Sequence, residues 1–288
     1  MATLRAVRKR IRTVRSTRRI TKAMEMVAAA KLRRAQQRVE QARPYAKKMD
    51  EMLSHLAAGA TEQVVHPFFE TRPVRKRTLV IFTSDRGLCG SFNSNIIRRA
   101  TLWTEENRSS EMELVIIGKK GNDIFRRRPA PIVGYWGHWG GVPDFERARQ
   151  VVGLLTERFV SGQTDEISLL FTRFLSLVRY RVTCERYLPV VRPEAVDETG
   201  LSRDYIFEPS PDRIYAALMP GYATTKLVTA LVESFASEHG SRMTAMNAAT
   251  KNAGEMIDHL TLQYNKARQT QITKELLEVV AGAEALRS

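Results

Sequence analysis

The chain has 288 residues, of which 43% are hydrophobic and 27% are charged, and its formal net charge at neutral pH is +15. This composition is typical of a folded soluble protein and excludes an intrinsically disordered chain. No run of about 18 apolar residues predicts a transmembrane helix. Two cysteines, Cys89 and Cys184, exclude a disulfide framework and are expected to be reduced core thiols. The five histidines are scattered, so no metal or cofactor site is predicted.

The positive charge is concentrated at the beginning of the chain. Residues 1–48 contain sixteen Lys or Arg and two acids, Glu25 and Glu40, which gives this segment a net charge of +14. Such asymmetry predicts an acidic partner, which could be nucleic acid, an anionic membrane surface or a carboxylate-rich protein.

Residues 1–60 are predicted to form one long helix of coiled-coil type. Steps of three and four residues from Leu4 reach sixteen positions in one register, and thirteen of them are apolar. Pro44 lies off this seam and is expected to kink the helix or open it locally.

The three polar positions of the seam, Arg18, Thr21 and Glu25, are consecutive. They either form a polar layer that fixes the register of a helix pair or turn away from the partner helix to contact another protein. Because Met24 and Met26 flank them, and methionine suits an adaptable contact, the pattern slightly favours the second alternative.

After a predicted linker at residues 61–77, segments typical of strands and helices alternate, and we place a central α/β domain at residues 75–195. Helices are predicted to begin near Ser91, Gly118 and Asp144. Five strands are predicted, at Thr78–Thr83, Leu114–Ile117, Ile132–Tyr135, Glu166–Phe174 and Tyr180–Leu188. The last two are close enough to pair as an antiparallel edge of a mostly parallel, Rossmann-like sheet. The aromatic segment Gly134–Gly141 is expected to be a surface loop.

Residues 208–288 are predicted to be a second coiled-coil helix, with Ser210 as N-cap and Pro211 in its first turn. Pro220-Gly221 is expected to break or bend it. The predicted seam comprises Met246, Ala249, Ala253, Met256, Leu260, Gln263 and Ala267, and its register then changes to Ile272, Leu276, Val279, Ala283 and Leu286.

Two coiled-coil segments on either side of a compact domain are expected to pair antiparallel with each other. At 1.5 Å per residue the first is about 80 Å long and the second about 115 Å. The second should therefore extend about 20 residues beyond the first, starting near Ala267. This end is apolar on nearly every face, so a partner protein is expected to enclose it.

Neither glycine-rich turn carries a complete nucleotide-binding motif. The turn Gly87–Gly90 follows a strand and precedes a helix, but it has neither the third glycine of a dinucleotide site nor the Gly-Lys-Ser/Thr of a P-loop. Gly118–Gly121 also matches neither pattern. Both are interpreted as tight turns in close strand–helix contact, and no catalytic residue is predicted.

Four blocks of sequence resemble one known family. The segment from Ile20 to Leu32 resembles the N-terminal signature of ATP synthase gamma subunits, and Ser84–Gly90 resembles the turn of their central domain. The segments Arg242–Ala253 and Tyr264–Gln269 resemble the C-terminal signature. Because the blocks occur in order along nearly the whole chain, the resemblance is highly specific.

The resemblance implies a rotor subunit without an active site, in which the two terminal helices form an asymmetric antiparallel coil inside a hexamer of alpha and beta subunits. Contacts with the beta subunits are implied for Lys22, Met24, Arg268, Gln269 and Thr273. A bearing inside the hexamer is implied for the apolar residues Leu276, Val279, Val280 and Leu286.

The resemblance also implies a foot near Tyr205 and Glu208, which sits on the proteolipid c-ring beside the epsilon subunit. The chain would be peripheral to the membrane, on the cytoplasmic side of a bacterial plasma membrane, since the cysteine-bearing insertion of light-regulated chloroplast relatives does not occur in this sequence. The implied basic helix then faces acidic segments of the beta subunits and binds no nucleic acid.

Two rival functions are weighed against the rotor. A basic coiled coil that binds nucleic acid would explain the +14 segment but not the apolar C-terminal end or the signatures. A nucleotide-dependent enzyme would use the α/β domain, but its phosphate-binding motifs are incomplete.

Overall fold

In the computed structural model, residues 4–59, 66–176, 179–191 and 211–285 are described. The chain divides into two compact units, Met1–Ala28 with Met243–Ser288, and Ala29–Arg242. Two long helices, α1 (Leu4–Gly59) and α5 (Pro211–Ala285), each contribute to both units. The described part of the chain has no helix that is long and apolar enough to span a bilayer.

The central domain is a five-stranded sheet with helices on its faces. Its strands are β1 (Lys76–Phe82), β2 (Glu111–Ile117), β3 (Ile132–Trp136), β4 (Glu166–Ser176) and β5 (Arg179–Leu188), in the order β3-β2-β1-β4-β5. All neighbours are parallel except β4 and β5, which pair antiparallel. The predicted mostly parallel, Rossmann-like sheet with one antiparallel edge is confirmed, and its strand order matches the first five strands of the 3-2-1-4-5-6 Rossmann order.

The helices of this domain are α2 (Phe92–Glu106), α3 (Lys119–Phe125) and α4 (Phe145–Val160). Side chains of β1 and β2 alternate between the two faces of the sheet. Leu79, Ile81 and Ile116 pack with Ile96 and Phe125, which belong to α2 and α3. The helix α4 begins at the predicted place, and Asp144 caps it, because its carboxylate accepts hydrogen bonds from the Glu146 and Arg147 amides.

The seam of α1 agrees with its predicted register. Ile11, Ala28, Leu32, Ala35, Val39, Met49 and Leu53 are buried. In the unit that contains residues 29–242, α1 pairs antiparallel with α5. Asp50 contacts Tyr222 and Lys226, whereas Arg43 contacts Glu233. The predicted antiparallel coil is thus confirmed.

Two expectations about the helices are corrected, the break at Pro220 and part of the seam of α5. No break occurs at Pro220, because α5 is continuous through it and the neighbouring side chains Met219, Tyr222 and Ala223 are buried. Burial of these side chains offsets the backbone hydrogen bond that proline cannot make. The helix α1 is also continuous through Pro44, and a bend at either proline stays a prediction.

The seam of α5 beyond Arg242 was predicted one residue out of register at two positions. Met256 is 47% exposed, and Ile257 is buried in its place. Tyr264 is likewise less exposed than the predicted Gln263, whereas the predicted Ala249 and its neighbour Thr250 are both half-buried. The observed positions Met246, Thr250, Ala253, Ile257, Leu260, Tyr264 and Ala267 alternate by four and three.

A predicted linker and a predicted surface loop both contribute residues to the core. The predicted linker at residues 61–77 contains a 3₁₀ turn, Pro67–Phe69, with Phe68 and Phe69 buried, while residues 60–65 are outside the described part. The aromatic segment Gly134–Gly141 begins inside β3, and Trp139 is buried against Phe235 of α5.

Candidate partner-binding surface

The polar positions of the α1 seam face α5. The hydroxyls of Thr21 and Thr250 lie 2.8 Å apart, and the Glu25 carboxylate accepts from Asn247 Nδ2 at 3.1 Å. The side chain of Arg18 lies next to Gly254, because a Cβ atom placed on Gly254 would be 3.9 Å from the guanidinium carbon of Arg18. These contacts agree with a polar layer that fixes register, so the favoured alternative, that the stretch turns away from α5, is wrong.

Lys22 and Met24 lie beside this layer. Lys22 is exposed and its ammonium is 3.0 Å from Glu25 Oε1, while Met24 is half-buried. The hydrogen bond from Asn247 and the contact with Lys22 hold the pKa of Glu25 below its usual value. The carboxylate is therefore ionised at neutral pH and keeps the Lys22 side chain beside the layer.

The rest of this part of α1 is a basic surface. Nine Lys or Arg occur between residues 4 and 28, and all nine are exposed. Among the described residues, only Lys22 of these nine has a carboxylate within ion-pair distance. Such an unneutralised surface attracts an acidic partner.

The C-terminal end of α5 is the second exposed surface. Every described residue from Arg268 to Ala283 is exposed, including Arg268, Gln269 and Thr273. Leu276 is 60% exposed, Val279 69% and Val280 55%. An apolar surface of this extent at the end of a helix is typical of a site that a partner covers. Leu286, and the foot residues Tyr205 and Glu208, lie outside the described residues.

A third arrangement, in the unit of residues 29–242, joins α5 to the sheet. Strand β4 extends beyond Leu170, which is its last residue paired with β1. The backbone groups on that edge of β4 have no strand partner after Leu170, and helix side chains form hydrogen bonds with them instead. The Phe174 amide donates to Glu233 Oε2 at 2.7 Å, and Arg43 donates to the Phe174 carbonyl at 2.6 Å. Arg43 also donates to Glu233 Oε1 at 2.9 Å. A single buried carboxylate thus links α1, α5 and β4.

Two serines that follow Glu233 in α5 also bind the backbone of β4. Ser234 accepts from the Thr172 amide at 3.3 Å, and Ser237 donates to the Thr172 carbonyl at 3.1 Å. A sheet edge requires such partners because its backbone groups would otherwise be buried unpaired.

The glycine turn Gly87–Gly90 is held by α5 in the same unit. Arg242 donates to the carbonyls of Arg86 and Gly87 at 3.2 and 3.3 Å, and Ser241 donates to the Cys89 carbonyl at 2.6 Å. The turn therefore presents carbonyls to a helix, which agrees with the interpretation of a structural turn. Burial raises the pKa of the Cys89 thiol, as expected for a core thiol.

Comparison with known proteins relates these surfaces to a family. The sequence model of a family described as ATP synthase matches residues 3–286. An "ATP synthase gamma chain" of Moorella thermoacetica is 47% identical over 290 aligned residues, covering all of both chains. The chain belongs to the ATP synthase gamma chain family.

Solved structures related to this family share the fold. A chain from the cryo-EM structure of the Tetrahymena thermophila mitochondrial ATP synthase central stalk and c-ring is 29% identical, with a TM-score of 0.60. The match covers 80% of this chain and 99% of that one. A chain from the Euglena gracilis mitochondrial ATP synthase, in a structure of OSCP, F1 and c-ring, has a TM-score of 0.70 at 17% identity. There the match covers 98% of this chain and 94% of the other.

The blocks that resemble the gamma family coincide with the arrangements above. The N-terminal block contains Thr21 and Glu25 of the polar layer. The central block is the turn that α5 holds, and the C-terminal block begins with Arg242, which holds that turn. Sequence reasoning did not identify Arg43 and Glu233. The structure reveals the need for partners, since residues 230–241 of α5 are buried on every face and include two glutamates and three serines, which must find buried partners.

Proposed function

We propose that this chain is the central-stalk rotor subunit of a rotary ATP synthase. In this function it transmits torque between a proton-driven c-ring in the membrane and a catalytic hexamer of alpha and beta subunits. The exposed apolar end of α5, beyond Ala267, is the observation that carries the proposal. Within the family to which the chain belongs, a surface of this kind requires an enclosing partner.

The end of α5 would turn inside the hexamer. Leu276, Val279 and Val280, together with Leu286, would form an apolar bearing, since apolar side chains make no directional bonds that resist rotation. Arg268, Gln269 and Thr273 lie next to it on the same helix and would make polar contacts with the beta subunits.

The basic surface of α1 would face acidic segments of the beta subunits. Lys22 and Met24 lie on this helix beside the polar layer, where a moving contact would meet one charged and one adaptable side chain. Exposed ion pairs stabilise a contact by roughly 0–1 kcal/mol each. A set of such weak contacts can be exchanged as the shaft turns, without a deep energy minimum at any one angle.

Torque would enter the shaft through the central domain and through the parts of α1 and α5 that pack against it. The joint of Glu233, Arg43 and Phe174 ties this domain to both helices, so a force on the domain is passed to the coil. The foot near Tyr205 and Glu208 would contact the c-ring and the epsilon subunit. We place the chain on the cytoplasmic side of a bacterial plasma membrane, peripheral to it.

The chain would supply no catalytic residue, and its effect on catalysis would be conformational. An asymmetric shaft presents a different face to each beta subunit at any moment. Each face binds the open and closed states of a beta subunit with different free energies, which shifts the nucleotide site between them.

The proposal is tested by assembling the full chain with alpha, beta and epsilon subunits of the same source, at low ionic strength. We expect recovery of a complex with ATPase activity and actin- or bead-detected rotation. The double variant Leu276→Asp, Val280→Asp should weaken assembly and torque, because charged groups would enter an apolar sleeve. Truncation after Ala267 should remove the bearing altogether.

The matched control is Glu278→Gln on the same exposed turn, which should assemble and rotate as the unchanged chain does. If the double variant and this control produce the same torque, the proposal that these apolar residues form a bearing is rejected. If the full chain recovers nucleic acid and none of the ATPase subunits, the rotor is rejected in favour of the basic nucleic-acid-binding coiled coil.

A further inference from the structure

A groove lies between α1, α5 and the beginning of α4, all within the unit of residues 29–242, and the proposed rotation makes no use of it. Its volume is about 540 Å³, which is in the range of small-molecule sites in proteins. Its apolar lining is formed by Ala42, Tyr45, Pro143, Phe145, Val228 and Val232.

Two aromatic side chains stand at the rim of this groove. Tyr45 on α1 is 59% exposed, and Phe145 at the start of α4 is 62% exposed. Neither ring packs against another aromatic ring within the described parts of the chain. Two large rings that line one groove and remain open to solvent can bury the apolar body of a ligand.

The polar lining of the groove includes one cation, Arg38. Arg38 is half-buried and has no carboxylate within ion-pair distance in the described chain. The Thr229 hydroxyl oxygen is buried without a hydrogen-bond partner among the described residues. By contrast, Thr224 and Thr225 on the same helix each donate to the carbonyl four residues earlier, at 2.8 Å. The lining that the structure describes contains no Asp or Glu, so its charge favours an anion.

The Phe145 side of the groove is held in place by its own contacts. The Asp85 carboxylate accepts from the backbone amides of His138 and Trp139 at 2.8 and 2.7 Å. Trp139 packs against Phe235 with 6.3 Å between ring centroids. The loop that leads into α4 is thus fixed to α5, and little ordering would be needed when a ligand binds.

We propose that this groove binds an amphipathic organic anion. The apolar body of the ligand lies between Tyr45 and Phe145, and Arg38 binds its carboxylate or phosphate. The Thr229 hydroxyl supplies a further donor, which then gains the partner it lacks. Both long helices contribute to the site, so the bound ligand also connects α1 to α5.

The test is calorimetric titration of the full chain with 1-naphthoate and with its uncharged analogue 1-naphthalenemethanol. We expect saturable binding of naphthoate and weaker binding of the alcohol. Arg38→Gln should weaken naphthoate binding by at least about tenfold, the effect of losing one charge-assisted hydrogen bond, and should leave the alcohol unchanged. Arg34→Gln, an exposed arginine of α1 outside the groove, is the matched control and should have no effect.

Two further measurements locate the apolar body. Phe145→Ala should weaken both probes, because it removes the ring and leaves the charge. Decanoate replaces naphthoate in a second series, and stronger binding of decanoate would identify an acyl chain rather than an aromatic ring as the preferred body. Circular dichroism and the thermal midpoint Tm check that each variant is folded.

Three results would overturn the site. They are equal naphthoate affinity of the Arg38→Gln and Arg34→Gln variants, unchanged affinity in Phe145→Ala, and no saturable binding of either anion below about 10 mM. Equal affinity for naphthoate and its alcohol would show that apolar surface alone binds the probe, and would also reject the anion site.

Discussion

The carboxylate of Glu233 is the most informative side chain to change, because it links three elements at once. It is 5% exposed, accepts from the buried Phe174 amide, and pairs with Arg43, which is 48% exposed. Glu233→Ala leaves that amide without a partner, at a cost of about 1–3 kcal/mol. Loss of the half-exposed ion pair adds at most about 1 kcal/mol. We therefore expect the free energy of unfolding to fall by about 1–4 kcal/mol.

Glu233→Gln separates the two contributions. Its side-chain oxygen can still accept from the Phe174 amide, so the loss should be about 1 kcal/mol, mainly from the charge. Urea unfolding at pH 7 gives both free energies, and hydrogen exchange of the Phe174 amide reports on the bond directly. Exchange should be faster in the Ala variant than in the Gln variant. If the two variants unfold within about 0.5 kcal/mol of each other, the range of an ordinary surface substitution, the buried hydrogen bond does not stabilise the joint as argued.

Two other predictions concern the contact between the aromatic loop and α5. An added Cβ at Gly141, where φ is +78°, would lie 2.6 Å from His239 Nε2, so Gly141→Ala should lower the free energy of unfolding by about 2–4 kcal/mol. Gly140→Ala is its control, since φ is +66° but no atom is near, and equal losses in urea unfolding would exclude the close contact as the cause. Burial, assisted by Arg242, lowers the pKa of His239 to about 4, below its ordinary value of about 6.5. The folded chain therefore binds fewer protons than the unfolded chain. The stability from this histidine is complete above pH 6.5 and is lost as the pH falls to 4, by about 3 kcal/mol. His239→Gln should remove this part of the pH dependence, and parallel stability curves for the two proteins would contradict it.

The sheet could be predicted from the sequence because its strands are buried on both faces. Parallel strands covered by helices appear as short continuous apolar runs between turn residues, and the predicted Leu114–Ile117 falls inside β2. The antiparallel edge followed from the short connection between the last two runs. The seam of α1 was equally accessible, since seven heptads in one register leave little ambiguity.

The seam of α5 was harder because apolar residues occupy adjacent positions. Met256 and Ile257 are both suitable for a seam, and only packing decides that Ile257 is buried. The effect of Pro220 on the helix was overestimated because tertiary packing was again not visible in the sequence. A local backbone preference predicts a break, but the buried side chains on both sides of it stabilise the continuous helix.

The parts of the candidate surface that could be predicted are those formed by a single continuous segment of the sequence. The exposed end of α5 follows from helix lengths and composition, and the basic surface of α1 follows from its charge. The joint between Glu233, Arg43 and Phe174 could not be predicted, because its three members are far apart in the sequence. Only the fold brings a strand edge, a carboxylate and a guanidinium together.

The side-chain protection of the β4 edge also has a consequence for how the chain is made. The segment of α5 that covers Phe174 is synthesised about 60 residues later, which at 5–20 residues per second takes about 3–12 seconds. During this interval the edge of β4 is open, and the seam of α1 has no helix to pack against. A nascent chain in this state can pair its free strand with another chain. The last helix of the chain therefore closes a domain that was synthesised before it, and the unfinished chain must be kept apart from its copies until that helix has formed.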